Sequence, residues 1–287
     1  MEDRFEIVGI RKMPDVKLVK KEKWYQGKPV FFAILLGMIL AVCLACELVM
    51  TKDPFYLDLQ HCNVPPDGEF LFGTDTLGRD IFSMIWYGGR VSLFIGIVSA
   101  AVSTGIAIFV GAVSACAPAW ADALLMRFTE IILSIPSLLL VLFLQAVFGE
   151  NTVFSVSAAI GMTGWAAMAK VIRAEVIKLR KCEYVAASKC MGGSFLHILW
   201  EHFLPGFMPS IMFMAVMEIR SAILAESTLS FMGLGLPVEM VSWGSMLSLA
   251  EKAILTNDWW ILFFPGIFLT VTLLCITRIG EYIRRKF

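Results

Sequence analysis

Histidine is scarce in this sequence of 287 residues, which contains only His61, His197 and His202. The zinc-binding pattern HExxH, the nucleophile pattern GxSxG and a supported pair of catalytic carboxylates are all absent. Gly27 and Lys28 are followed by proline rather than Ser or Thr, and they lack the preceding glycine of a phosphate-binding loop. We therefore expect a chain that is not an enzyme, holds no metal or cofactor and hydrolyses no ATP itself.

The sequence also lacks an excess of positive or negative charge, and its cysteines show no spacing typical of disulfides. The chain has 24 Lys and Arg against 24 Asp and Glu, which argues against a basic nucleic-acid-binding domain. Its 7 cysteines are scattered, mostly singly, through apolar runs, so a disulfide framework is not expected. Cys43 and Cys46 form a CxxC pattern inside such a run, where two small residues on a helix are a better interpretation than a redox pair.

Apolar residues make up 58% of the chain and the mean hydropathy is +0.77, whereas soluble domains are roughly 45–50% apolar. This composition predicts an all-α, multi-pass membrane protein, because a spanning helix needs about 20 apolar residues. The predicted spans are residues 30–50, 91–117, 131–148, 153–168, 208–229 and 259–279. Pro136 should perturb the first turns of the third span, and Trp259 and Trp260 should anchor the last span at the interface.

The basic residues predict how these six spans are oriented. With both termini in the cytoplasm, eighteen Lys and Arg lie on the cytoplasmic side and three, Lys52, Arg79 and Lys252, lie outside. The chain then divides into a cytoplasmic tail (1–29), a first span (30–50), an outer loop (51–90) and a core domain (91–287). A long cytoplasmic loop covers residues 170–206 of that core.

Part of this cytoplasmic loop, residues 183–205, reads as a helix, a turn and a second helix. The first helix is predicted by a face with small residues at its centre, which could seat against a partner: Tyr184, Ala187, Ser188 and Met191. Gly192 and Gly193 predict a break, and Ser194 is a suitable N-cap for the next helix. That helix is predicted by a second stripe: Leu196, Leu199, Trp200 and Phe203.

We expect Pro205 to end the second helix, because proline lacks the N–H that a helix interior needs. His197 and His202 are five residues apart, so they should lie on different faces of that helix.

The outer loop contains a run from Gly73 to Leu93, GTDTLGRDIFSMIWYGGRVSL. Thr74 is predicted to cap an amphipathic helix lying at the membrane interface, with one apolar face made by Ile81, Ile85 and Trp86. Asp75, Arg79 and Asp80 would lie on its polar side. The i, i+4 spacing of Asp75 and Arg79 favours a local salt bridge over contact with a substrate.

Three ionisable residues fall inside the fifth predicted span. Glu226 lies near its outer end, whereas Glu218 and Arg220 lie deeper. An ionised group inside a bilayer needs a partner or a water-filled path, which makes each of them a candidate for a translocation path. The alternative is that each pairs with a neighbouring helix or subunit.

Three stretches resemble the C-type permease subunits of bacterial ABC importers for dipeptides, oligopeptides and nickel. Residues 183–205 resemble their coupling loop, with Gly192, Leu204 and Pro205 at the expected separation and AAS in place of Glu-Ala-Ala. The run 73–93 resembles their outer signature, G-T-D-x-x-G-R-D-x-x-S-x-x-x-x-G-x-R-x-S-L. Residues 225–247, AESTLSFMGLGLPVEMVSWGSML, resemble A-E-x-x-L-S-F-L-G-L-G followed by S-W-G, and the last span is also similar, but the C-terminal residues depart from the family.

The resemblance implies the transmembrane-domain fold of a type I ABC importer in the bacterial cell membrane. It implies a heterodimer with a homologous B-type permease, two ATPase subunits that use ATP and Mg, and an extracytoplasmic solute-binding protein. It places ATPase coupling on Glu183, Tyr184, Ala186, Ala187, Ser188, Gly192, Leu204 and Pro205. It places the outer signature on Asp75, Arg79, Asp80 and Arg90.

Peptide, nickel and metal-chelate importers share these patterns, and we rank peptides above nickel. His61 and Cys62 are two soft ligands in the outer loop without a third. An ion-coupled secondary transporter stays open as another class, although the two halves show no obvious repeat and only Glu218 and Glu226 are candidate carriers. A membrane enzyme would need a catalytic constellation that the sequence does not supply.

Overall fold

The computed structural model describes residues 29–149, 152–237, 239–256 and 258–286, so the predicted tail lies outside the described residues except for its last position. Most described residues belong to helices joined by loops. In chain order the helices are α1 (Val30–Leu44), α2 (Cys46–Val49), α3 (Ile81–Cys116), α4 (Ala119–Ser134), α5 (Ser137–Phe148), α6 (Val153–Leu179), α7 (Glu183–Cys190), α8 (Phe195–Ile198), α9 (Leu204–Phe231), α10 (Trp243–Thr256) and α11 (Trp259–Lys286). A π segment, Leu199–Phe203, joins α8 to α9.

Within the described residues, four helical stretches are long and apolar enough to cross a bilayer: α3, α6, the stretch from α8 through α9, and α11. The bent pair α4 and α5 would make a fifth, and α1 is a shorter apolar helix of 15 residues. The first predicted span is divided, because α1 ends before Ala45 and α2 follows it. The prediction of an all-α chain with several spans is confirmed, and the number six stays a prediction.

The third predicted span, residues 131–148, is not one continuous helix. It covers the end of α4 and all of α5, a bent pair that together is long and apolar enough to be one span. α4 ends at Ser134, α5 begins at Ser137, and their axes are bent by 98°. Pro136 removes the N–H that would continue α4, and Ile135 before it has the extended backbone (φ −90°, ψ 130°) that a following proline favours. The proline therefore ends one helix and starts another instead of perturbing a single span.

The predicted interfacial helix is also corrected. Asp80, not Thr74, caps the helix, because its Oδ2 accepts the Ser83 N–H at 3.1 Å. The helix that begins at Ile81 is the second span itself, α3, which continues for 36 residues. Ile81 and Ile85 are 1% and 0% exposed, so their apolar face packs inside the protein rather than on a membrane surface.

Small residues allow α3 to pack closely on its neighbours, and its most extensive contact is with α6. A Cβ added to Gly111 would lie 2.7 Å from the Ala169 carbonyl oxygen of α6. A Cβ added to Gly89 would lie 2.7 Å from both Cys43 Sγ of α1 and the Trp243 ring of α10. Such close approach is the usual way in which helices associate within a bilayer. The helix α3 is therefore the centre on which the other spans assemble.

Candidate functional site

The loop at residues 183–205 folds as the predicted helical hairpin. Its first helix, α7, begins at Glu183 and ends at Cys190. Val185 and Ser188 are buried, at 0% and 5% exposed, whereas Tyr184 is 49% exposed. Ala186 and Ala187 are also exposed. Of the predicted face, the structure buries Ser188 and leaves Tyr184 and Ala187 available to a partner.

The turn after α7 follows the predicted pattern. Gly192 has φ +86°, a left-handed backbone that side chains other than Gly rarely adopt, and no atom lies within 4 Å of where its Cβ would be. Ser194 caps α8 by accepting the His197 N–H at 3.3 Å. The break at Gly192 and the cap at Ser194 are both confirmed.

Pro205 does not end the second helix, contrary to the prediction. It lies in the first turn of α9, where the N–H that proline lacks is not needed, and the helix continues to Phe231. The irregularity lies before it, in the π segment, where the Leu204 N–H bonds to the Leu199 carbonyl, five residues back.

The π segment also changes which side chains meet. Its wider turn brings the rings of His197 and His202 to 6.1 Å between centroids, edge to face, so the prediction of different faces was wrong. The Tyr184 ring of α7 lies 5.6 Å from the His202 ring, which joins the two arms of the hairpin. Partial removal from water and a hydrogen bond with Cys182 raise the pKa of Tyr184 above its ordinary value.

Large apolar side chains project from this hairpin without cover. Met191 is 82% exposed, Leu196 64% and Trp200 67%. Together with Tyr184, these residues are called the hairpin surface below. Clustered exposed apolar side chains on a segment this polar indicate a surface for another protein or for lipid.

Beside the hairpin, an ion pair joins α4 to α6. Arg173 Nε donates to Asp122 Oδ1 at 2.6 Å, and Arg173 Nη2 donates to the other carboxylate oxygen. The Ser114 hydroxyl of α3 donates to the same carboxylate, and Arg180 Nη1 donates to the Ala115 carbonyl. From the sequence, Arg173 and Arg180 are predicted only to be cytoplasmic charges, and these contacts are not predicted. The one available signal was Asp122, an isolated acid between apolar runs.

Glu226 lies inside the protein among serine hydroxyls. Its side chain is 0% exposed and accepts hydrogen bonds from Ser242 at 2.7 Å, Ser230 at 2.9 Å and Ser92 at 3.2 Å. Since Ser92 belongs to α3 and Ser242 immediately precedes α10, the carboxylate ties α9 to both. Its predicted place on a translocation path stays a prediction, and within this chain the carboxylate is enclosed.

Glu218 lies deeper, where α3, α6 and α9 meet. A Cβ on Gly164 of α6 would overlap its carboxylate and would lie 3.1 Å from Ser103 Oγ of α3. Arg220 Nε is buried and has no hydrogen-bond partner among the described residues. Arg220 lies two positions from Glu218 and therefore on a different face of α9, so its unused donor is separate from the Glu218 carboxylate.

The outer signature folds as a loop held by the predicted salt bridge. Arg79 Nε donates to Asp75 Oδ2 at 2.8 Å, and the N–H groups of Leu77 and Arg79 each donate to Asp75 Oδ1 at 2.8 Å. The pair is buried, with Asp75 1% and Arg79 5% exposed. It closes a loop between bridged residues Thr74 and Asp80, not a helical turn.

Other residues bind this loop to the rest of the outer region. Trp260 Nε1 donates to the Thr74 carbonyl at 3.2 Å, and Trp260 is 7% exposed, so of the two predicted anchors only Trp259 is exposed. Gly78 has φ +75°, and a Cβ there would overlap the Asp58 carbonyl. Arg90 lies 3.6 Å from the Glu47 carboxylate, which links α3 to α2.

His61 and Cys62 do not form a metal site within the described residues, because no group of three His, Cys, Asp or Glu side chains there could hold an ion. His61 Nδ1 lies 2.7 Å from Asp58 Oδ2 instead. The hydrogen bond from His61 lowers the pKa of Asp58, with the Gln60 N–H adding to the effect.

Comparison with known proteins places residues 103–287 in a family described as "Binding-protein-dependent transport system inner membrane component". The dipeptide transport system permease protein DppC of Bacillus subtilis is 36% identical over 76% of this chain and 68% of its own length. The oligopeptide transport system permease protein OppC of the same organism is 34% identical over 88% of this chain and 82% of its own length. A putative peptide permease of Brucella suis is 36% identical over 90% and 85%.

The fold is shared with a solved structure. It is described as a crystal structure of an amino acid ABC transporter with histidines, and it superposes with a TM-score of 0.53 at 13% identity. The match covers 72% of this chain and 95% of that one.

Proposed function

The chain belongs to the family of inner membrane components of binding-protein-dependent transport systems, and from that membership we propose that it is the C-type permease subunit of an ATP-driven peptide importer. The observation that carries the substrate class is the 34–36% identity, over most of the chain, to permeases named for dipeptide and oligopeptide transport. The chain is a permease component and not an ATPase.

Its partners are a homologous B-type permease, two cytoplasmic ATPases that use ATP and Mg, and an extracytoplasmic solute-binding protein. The family name supports the solute-binding protein directly. The hairpin surface supports an ATPase contact, because it exposes Met191, Leu196 and Trp200 at a loop that the charges assign to the cytoplasm.

The proposed topology has six spans with both termini in the cytoplasm. The spans are α1 with α2, α3, the bent pair α4 and α5, α6, α9 and α11. The distribution of Lys and Arg supports this orientation, which places the hairpin inside the cell and the Asp75–Arg79 loop outside.

Coupling runs through the hairpin. ATP binding closes the ATPase pair, α7 moves with the ATPase on which it is docked, and the spans change from inward-facing to outward-facing. The exposed small side chains of Ala186 and Ala187 allow close approach, and Gly192 sets the angle between α7 and α8. Glu183, Tyr184, Ser188, Leu204 and Pro205 complete the coupling residues.

We assign Glu226, Glu218 and Arg220 to the translocation path, because ionisable residues within a span need a partner or a water-filled path. The buried Arg220 Nε, which has no hydrogen-bond partner among the described residues, supports the assignment of Arg220. Glu226 acts at the outer end of the same helix, where its serine contacts hold the outer loops.

Uptake by whole cells carrying the complete transporter tests this function. Labelled dipeptide and labelled nickel are compared with and without this subunit, and with and without the ATPase subunits. We expect dipeptide uptake to need both. If nickel uptake depends on the subunit and dipeptide uptake does not, the substrate is a metal and not a peptide. Uptake without the ATPases would indicate a secondary transporter.

A further inference from the structure

A small pocket on the outer side, beside the Asp75–Arg79 pair, is not used by the proposed transport cycle. Its volume is about 180 Å³. It is lined by one charged side chain, three hydroxyls and apolar groups, chiefly Arg79, Ser230, Ser245, Ser248, Leu236 and Leu249. We propose that this pocket binds a carboxylate, presented by an acidic side chain of the solute-binding protein. The inference rests on the proposed function, which supplies that partner.

The first step is the state of the Arg79 side chain. Nε is its only nitrogen with a hydrogen-bond acceptor among the described residues, namely Asp75. The terminal nitrogens have no such acceptor, and they are not among the buried polar atoms that lack a partner. Since Arg79 lines the pocket and is otherwise buried, we infer that its terminal N–H groups are accessible from the pocket. Two parallel N–H groups of one guanidinium match the two oxygens of a carboxylate.

The second step is that the guanidinium is already fixed. Arg79 is 5% exposed, and its backbone N–H and its Nε are both bonded to Asp75. Gly78 holds the turn before it, because any Cβ there would overlap the Asp58 carbonyl. A group held in this way loses little conformational freedom on binding, which favours recognition.

The third step is a further donor beside the arginine. Ser230 and Ser245 are already engaged, since they donate to Glu226 and to the Met240 carbonyl. The Ser248 hydroxyl has no hydrogen-bond partner among the described residues and lines the same pocket. Donors from Arg79 and Ser248 therefore line one space, and Asp75, the acid paired with Arg79, already accepts three N–H groups.

The size of the pocket selects the source of the carboxylate. Sites for small molecules usually enclose about 300–1,000 Å³, so about 180 Å³ is small for a peptide of two or more residues. A single Asp or Glu side chain on a protein surface needs only this much space. Two proposed partners reach the outer side, the B-type permease and the solute-binding protein. We assign the carboxylate to the solute-binding protein, because it binds and leaves during the cycle and therefore gains most from a guanidinium that is fixed beforehand.

Changing Arg79 itself would leave Asp75 buried without its partner, so Ser248 is the better position for a test. Ser248→Glu places a carboxylate inside the pocket, where Arg79 would bind it. Ser248→Gln has nearly the same size without the charge and serves as the control. The readout is the Kd of the solute-binding protein for the complete transporter in nanodiscs, with the thermal midpoint of each complex to verify folding.

We expect Ser248→Glu to raise this Kd by about tenfold or more and Ser248→Gln to change it much less, because only the former occupies the guanidinium. The acidic residues of the solute-binding protein are then changed singly to Gln or Asn. The acidic residue that occupies the pocket is the one whose replacement weakens binding to the wild-type transporter but does not weaken binding to the Ser248→Glu variant.

Equal Kd values for the wild type and the Ser248→Glu variant, with both folded, would overturn the proposal. An unchanged Kd with a higher peptide concentration for half-maximal uptake would also overturn it and assign the carboxylate to the peptide. Failure of the proposed function would look different. A secondary transporter would bind no solute-binding protein at all, whereas a metal importer would still bind one and would be recognised by its uptake of nickel instead of dipeptide.

Discussion

Glu226 shows how one side chain can hold three parts of the outer region together. Its carboxylate accepts from Ser92, Ser230 and Ser242, and it is completely buried. We expect Glu226→Ala to lower the free energy of unfolding by about 1–3 kcal/mol, because buried hydroxyls lose their acceptor. Thermal inactivation of the purified transporter in nanodiscs measures the effect.

The matched control is Glu226→Gln, which keeps one acceptor oxygen and the volume of the side chain. It should lie between the wild type and the alanine variant. If both variants are as stable as the wild type while transport is lost, Glu226 acts on the substrate and not on the structure.

Gly192 tests whether the hairpin contacts an ATPase. Asp and Asn are the residues that best tolerate the left-handed backbone found there, and there is open space for a side chain. We expect Gly192→Asp to abolish transport and to leave the subunit in the membrane, because it adds a charge beside the apolar hairpin surface. Uptake of labelled dipeptide and immunoblotting of the membrane fraction measure the two quantities.

Gly192→Asn is the control, since it has the same shape and no charge. It should retain much of the transport. Normal transport by the aspartate variant would show that this turn does not lie at the contact with the ATPase.

At the scale of whole helices, the Asp122–Arg173 pair connects the bent pair to the helix that leads into the hairpin. The two side chains are 21% and 30% exposed, so their contribution to stability is modest and partly screened by solvent. Their geometry matters more, because the bidentate contact fixes α6 against α4. We expect Asp122→Asn to lower the number of peptides transported per ATP hydrolysed, as measured in proteoliposomes containing all subunits.

The reciprocal exchange, Asp122→Arg with Arg173→Asp, should recover part of this ratio, whereas each change alone should not. Equal ratios in the wild type and Asp122→Asn would mean that the two helices stay aligned without the ion pair.

Two prolines illustrate what the sequence could specify at this scale. Pro136 was expected to perturb a span and instead separates two helices by 98°. Pro205 was expected to end a helix and instead lies in the first turn of α9. Proline is disfavoured inside a helix but fits the first turn of one. Whether a given proline ends a helix or starts one depends on the residues before it. The π segment before Pro205 has no sequence pattern that would have predicted it.

At the scale of the whole molecule, the topology can be tested with two native cysteines. Cys62 lies in the outer loop and Cys190 at the end of α7. We expect a membrane-impermeant maleimide to label a variant that keeps only Cys62 in intact cells. A variant that keeps only Cys190 should be labelled only after permeabilisation, because the charges place it in the cytoplasm.

If an N-terminal epitope tag becomes accessible only after permeabilisation, the N-terminus is cytoplasmic and the first span crosses the membrane as proposed. Labelling of Cys190 in intact cells would reverse the orientation and remove the hairpin from the side where ATP is hydrolysed.

Contacts within a short stretch were predictable, whereas those between distant stretches were not. The Asp75–Arg79 pair follows from a spacing of four residues, although it closes a loop and not a helical turn. The Asp122–Arg173 pair joins residues 51 positions apart, and the Ser92–Glu226 contact joins residues 134 positions apart. Apolar periodicity locates helices but does not state which polar side chains meet once those helices pack.

The π segment also determines where this chain can change in length. One residue of an α-helix corresponds to a rotation of about 100°, so removing Met212 from regular helix would turn Glu218 and Glu226 away from their contacts on α3. Removing Glu201 instead takes the extra residue from the wide turn and leaves a regular helix with both ends in place. Shortening by one residue should therefore be tolerated at Glu201 and not at Met212, which makes the π segment a place where related chains can differ in length without changing the arrangement of their spans.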